Sequence, residues 1–199
     1  MMKAVLRFGV LVSLVCLVFV LPAQANVVVS AVPPSGPFPA SRIPLLAGGP
    51  AVPVTAEMFS DSGGDLAGGY SMYFGIVPVG PTTGSVSFSF TGANIDDPFS
   101  SGPAPPDGWF GFSFAAVPIG ASPATPIVDL SVTAAPGATG NFDLVLLGTG
   151  SAGGFSAWSP PAGTGLAVPF AHVNTSVAHF TAPVLEPSTG DYNADGLVG

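Results

Sequence analysis

Three oxygen-bearing side chains stand at every second position near the end of this 199-residue chain: Asp191, Asn193 and Asp195, followed directly by Gly196. Such spacing lets alternate side chains converge on one hard cation, and calcium takes about 6–8 oxygen ligands of this kind. A glycine in the next position permits the sharp turn that swings the main-chain carbonyl after it, here that of Leu197, into the same shell. Val198 would then pack inward. Asp191, Asn193, Asp195 and Leu197 are therefore expected to ligate calcium. The later positions of the loop, including its bidentate acid, would fall beyond Gly199.

The other groups that could do chemistry make a weaker case. Asp96 and Asp97 are adjacent, so on an extended chain they point apart and do not flank one bond as a hydrolase pair must; a solvated loop is expected, with a second, weak cation site as the alternative. His172 and His179 are seven residues apart, on opposite faces of an unbroken strand. No nucleophile elbow is present. Beyond the first 25 residues there is no lysine for Schiff-base work and no thiol, because the single cysteine is Cys16. A non-catalytic protein is expected. Trp109, Trp158 and Phe155 could offer a stacking surface to a sugar ring, and Trp158, set between Gly-rich and Pro-rich stretches, is the candidate ligand-binding residue. Core packing is the commoner fate of such side chains, and Phe110, Phe112 and Phe114 are expected in the core. Asn174-Thr175-Ser176 matches a glycosylation sequon.

The start of the chain reads as an export signal. Lys3 and Arg7 precede a largely apolar run over residues 8–21, and Ala23-Gln24-Ala25 supplies a small-x-small cleavage pattern, which places the cut before Asn26. The run is shorter than the roughly 20 residues that span a bilayer. A secreted, extracellular protein with no membrane attachment after cleavage is the expectation. Removal of that leader would leave one basic side chain, Arg42, against eleven acidic ones. A surface of that sign repels phosphate backbones and anionic lipid, so nucleic acid is excluded as a partner. Cations, neutral glycans and protein surfaces remain.

Strand signals run through the rest of the chain. Gly and Pro, 27 and 23 in number, punctuate short apolar runs, and no segment after the leader carries an uninterrupted helical period. Strands are expected over residues 26–32, 51–59, 69–77, 85–91, 108–117, 127–134, 140–147 and 167–181. Residues 69–77 put Tyr70, Met72, Phe74 and Ile76 on one face. Residues 85–91 set Val86, Phe88 and Phe90 against Ser85, Ser87 and Ser89, the pattern of a strand with one buried and one wet side. Eight or so strands without crossover helices predict an all-β antiparallel sandwich, Ig-like or jelly-roll, over residues 26–182. Long loops are expected at residues 94–107 and 148–165, a Pro-spaced linker at 183–189, and the calcium segment at 190–199.

The run Gly190-Asp191-Tyr192-Asn193-Ala194-Asp195-Gly196-Leu197-Val198 resembles the first, EF-hand-like calcium loop of a dockerin type I repeat. The resemblance implies calcium as cofactor, Asp191, Asn193 and Asp195 as its side-chain ligands, and docking onto a cohesin-like protein partner. It covers nine residues. In the body, residues 52–76, with Pro53, the Gly63-Gly64-Asp65-Leu66 turn and Gly69-Tyr70-Ser71-Met72-Tyr73-Phe74, are similar in pattern to cohesin-like and carbohydrate-binding β-sandwich domains, as is the Pro-Gly turn and alternating strand of residues 135–147. That likeness implies a sandwich that binds polysaccharide or assembles with a partner. Glu186-Pro187-Ser188-Thr189 also resembles the core of an exosortase-sorting signal, whose further parts, an apolar stretch and a basic tail, do not follow it here. Calcium-dependent assembly is the preferred expectation, with a polysaccharide-binding matrix or surface protein as the alternative.

Overall fold

Alternation along residues 69–77 holds: Tyr70, Met72 and Phe74 are buried and Ile76 packs beside them, while Ser71 and Tyr73 turn to the opposite face. In the computed structural model this segment is the centre of a long strand around which the larger of two sheets is built. The structure describes residues 27–32, 42–61, 64–120, 124–161 and 166–182. The expected leader, linker and calcium ligands Asp191, Asn193, Asp195 and Leu197 lie outside the described residues.

The described residues form twelve strands: β1 (Val27–Val32), β2 (Ile43–Pro44), β3 (Val52–Ser60), β4 (Asp65–Thr83), β5 (Val86–Ala93), β6 (Ser100–Ala104), β7 (Gly108–Ile119), β8 (Thr125–Ala134), β9 (Thr139–Leu147), β10 (Ala157–Ser159), β11 (Val168–Pro169) and β12 (Thr175–Ala182). The smaller sheet has the order β1-β3-β8-β5. The larger runs β11-β10-β4-β9-β12-β2, with β7 on the other side of β4 and β6 beyond β7. Every pair of strands is antiparallel except β2 with β12. The chain is therefore all-β, and its sheets share one sandwich-like core.

That core is made by the inner faces of both sheets. Phe74 of β4 meets Phe88 and Phe90 of β5 edge-on, with ring centroids 6.3 and 6.1 Å apart, and Phe90 in turn meets Trp109 of β7 at 5.3 Å. Offset and edge-on contacts suit the ring quadrupoles and add to the large apolar area each ring removes from water. Val54, Met58, Leu130, Leu144 and Phe180 complete the interior.

Three expectations are corrected. The loop at residues 94–107 contains β6, and the loop at 148–165 contains β10. The expected strand at 167–181 is broken into β11 and β12 by a turn at residues 171–174, where His172 and Asn174 take φ of 60° and 61°. That left-handed conformation is uncommon outside glycine, though Asn and His adopt it more readily than most. Finally, Phe110, Phe112 and Phe114 are not in the core. Trp109 is 5% exposed, and the three phenylalanines lie on the outer face at 43%, 45% and 100%.

Candidate binding face

Gly108 and Gly111 determine which side of β7 turns inward. Gly111 lies opposite Tyr70, whose ring fills the inner side of the sheet, and a side chain starting at Gly111 would come within 2.5 Å of that ring. Gly108 lies opposite Tyr73 on the outer side, where the Tyr73 ring takes the equivalent space. With tyrosine rings laid over its glycines, β7 sends Trp109 inward. Phe110, Phe112 and Phe114 then alternate outward.

The neighbours of these rings are small. Across the outer face, Phe112 stands between Ser100 of β6 and Gly69 of β4, and beyond Gly69 comes Ser159 of β10. Phe110 stands between Gly102 and Ser71, and beyond Ser71 comes Ala157. The aromatic row therefore rises above a floor of Gly, Ser and Ala. Phe112 and Phe114 support each other edge-on at 5.5 Å. Between Phe112 and Val117, β7 carries four residues where β4 has only Gly68, so Phe114 sits on an outward excursion of the strand.

Two cavities of about 280 Å³ each open along β10 on this face. One is bordered by Gly69, Ser71, Phe112 and Ser159, the other by Phe155, Pro169 and Val173, and they share Ala157 and Ala167. No charged side chain lines either. Phe155, 68% exposed, is presented by a glycine-rich turn that wraps the Tyr73 ring. Ser71 Oγ donates to the Phe155 carbonyl at 2.6 Å, and Ser156 Oγ accepts from the Tyr73 amide at 2.9 Å. These two bonds anchor the turn to β4.

Trp158 is placed differently from its expected loop position. It lies on β10 opposite Tyr70, faces inward and is 6% exposed. Its indole N–H is sealed from solvent and has no hydrogen-bond partner among the described residues. Its ring is packed with the core, and the exposed aromatic of this region is Phe155. Trp109 is likewise a core residue.

The remaining polar groups organise the fold. Asp97 Oδ1 accepts from the Phe99 amide at 2.9 Å and Oδ2 from Ser101 Oγ at 2.5 Å, with the Tyr70 hydroxyl 3.4 Å away. Burial pushes the Asp97 carboxyl above its ordinary value even against these bonds. Burial and the nearby Asp97 push the Tyr70 phenol up as well. Asp96, by contrast, is exposed, as expected of a loop acid. Asn174 of the sequon accepts from the Gly148 amide at 2.9 Å, which gives its side chain a role in closing the 171–174 turn.

One cluster was invisible in the sequence. Asp143, 7% exposed on β9, accepts from Arg42 Nη1 at 2.7 Å and from Ser176 Oγ at 2.6 Å, and its Oδ1 lies 3.0 Å from His179 Nδ1. A bulge at Val177 sets Ser176 and His179 on the same side of β12, three residues apart though they are. Burial alone would raise the Asp143 pKa, but the bonds from Ser176, His179 and Arg42 outweigh it and hold the carboxyl below the usual carboxylate range. Both the serine and the histidine face the carboxylate, and among the described residues no bond joins them, whereas a nucleophilic serine needs the imidazole as its base. Among those residues, too, no group of three His, Cys, Asp or Glu side chains is gathered as a metal site. Compared with protein-family models, with curated proteins and with solved structures, the chain matches none.

Proposed function

We propose that this chain is a secreted, non-catalytic binding protein, a β-sandwich of the Ig-like or jelly-roll kind that holds neutral polysaccharide on the outer face of its larger sheet. The reading is carried by the row of Phe110, Phe112 and Phe114, uncovered above a floor of Gly, Ser and Ala. Exposed aromatic surface of this extent marks an interaction site in a folded protein. A pyranose ring offers apolar C–H faces to such rings and hydroxyls to Ser71 and Ser159. The uncharged lining and the acidic surface of the chain both favour a neutral ligand.

In this reading the segment of residues 190–199 is a dockerin-like, calcium-dependent tether that brings the sandwich to a cohesin-like partner, with Asp191, Asn193, Asp195 and the Leu197 carbonyl as ligands.

Retention of the chain on a panel of insoluble neutral polysaccharides tests the binding face. Retention on at least one of them, abolished in F112A/F155A, is expected. No retention on any, or retention indifferent to that pair of changes, overturns it. Calorimetric titration with calcium tests the tether. Heat of binding lost in D191A/D195A is expected, and its absence in the unaltered chain removes the calcium reading.

A further inference from the structure

We propose that β5 is a docking edge for a second copy of this chain, two β5 strands pairing antiparallel about a two-fold axis centred on Ser89 and joining their four-stranded sheets into one.

β5 ends the smaller sheet, and among the described residues its only strand partner is β8. An edge strand presents a row of free N–H and C=O groups, and proteins ordinarily blunt such edges with proline, charge or a covering segment. The other edges of this molecule show those devices. β2, β6 and β11 carry Pro44, Pro103 and Pro169. The far half of β4, beyond the reach of β7, carries Pro78 and Pro81. At the β1 edge the Val27 carbonyl accepts from the Ala171 amide at 2.9 Å. β5, Val-Ser-Phe-Ser-Phe-Thr-Gly-Ala, has neither proline nor charge along its eight residues.

The strand is also complementary to itself. Pairing centred on Ser89 sets Ser89 opposite its own copy, Ser87 opposite Thr91 and Phe88 opposite Phe90. Hydroxyls meet hydroxyls on the wet face, as Ser87 Oγ and Thr133 Oγ1 already do at 3.1 Å between β5 and β8. Aromatic rings meet on the other face, where Phe88 and Phe90 are only half-buried in one copy. Cross-strand pairs of both kinds stabilise antiparallel ladders. The absence of charge on β5 matters in so acidic a chain, because like charges placed opposite each other would oppose the pairing. The register shift between Phe90 and Gly92 limits the regular ladder to a few residues, so the association is weak and concentration-dependent.

Sedimentation velocity over a concentration series reads the association, and the chain with Cys16→Ala offers a second reading. In that background S89C has no thiol partner except its own copy, and directly opposed residues of an antiparallel pair stand close to disulfide range. Expected are a mass that rises towards the dimer with concentration, a monomer at every concentration for S87E/S89E, and S89C cross-linking about tenfold faster than the exposed control S151C. A chain that stays monomeric, an association that S87E/S89E leaves unchanged, or equal cross-linking at the two cysteines overturns the proposal. Should the glutamates unfold the protein by circular dichroism, the cysteine comparison decides alone.

Discussion

The ring of Tyr73 occupies the place where a side chain on Gly150 would begin: a Cβ there would lie 2.1 Å from Cδ1 of the tyrosine. Gly154 and Gly108 also crowd this tyrosine, a Cβ at each lying 2.3 Å from Cζ and 2.5 Å from Cε1, respectively. Gly150 and Gly154 are required because the turn lies against an aromatic ring, and the turn in turn presents Phe155. Gly150→Ala is expected to cost about 1–3 kcal/mol, the range for inserting a methyl group into a filled space. Urea unfolding measures it. In a double-mutant cycle with Tyr73→Ala the two changes should couple, because removing the ring makes room for the methyl group.

Arg42 reaches Asp143 from about a hundred residues away in sequence. Arg42→Met leaves a buried carboxylate short of one donor and is expected to cost about 1–3 kcal/mol at pH 7, read from the urea midpoint. The pH dependence follows from the same group. Its folded pKa is depressed below the unfolded value of about 3.9, so its stabilising contribution is complete above the unfolded pKa and is lost as pH falls through the folded one. In Arg42→Met the depression shrinks, so the loss of stability down an acid series still begins near the unfolded pKa but should be smaller and end at a higher pH than in the parent.

The two faces of β7 can be told apart by truncation. Trp109→Ala empties a packed interior and is expected to cost about 3–5 kcal/mol. Phe114→Ser, at a side chain in full solvent, should stay within about 0.5 kcal/mol of the parent. Thermal or urea unfolding of the pair checks the orientation. A larger loss at Phe114 than at Trp109 would mean that the strand is turned the other way.

Asn174 combines a left-handed backbone with a side-chain bond to the Gly148 amide. Asn174→Gly keeps the backbone and loses only the bond. Asn174→Ala loses the bond and adds the steric cost of φ near 60°, about 1 kcal/mol more. Unfolding midpoints should therefore fall in the order Asn, Gly, Ala. Ala at or above Gly would show that the turn does not require this conformation.

β4 and β5 were readable residue by residue because their apolar and hydroxyl side chains alternate, and alternation has one physical meaning in a half-buried strand. β7 was not, although its alternation is as regular. Phenylalanine on one side and tryptophan with glycine on the other leave the pattern with two apolar solutions. β6 and β10 were missed for a different cause: Pro103 and the Pro and Gly around Trp158 are the residues that ordinarily mark loops.

Local composition by itself determined that this chain is all-β, where most of its turns fall and which side chains in the middle of β4 and along β5 turn inward. These properties depend on neighbours one or two residues away, and the two-residue period of a strand expresses them directly. Only tertiary structure decided that the phenylalanines of β7 face water, that Trp158 is sealed inside, and that Arg42, Asp143, Ser176 and His179 meet. Each of those outcomes depends on groups that come together only when strands remote in sequence pair: Tyr70 and Tyr73 over the glycines of β7, β10 against β4, and β12 bulged against β9.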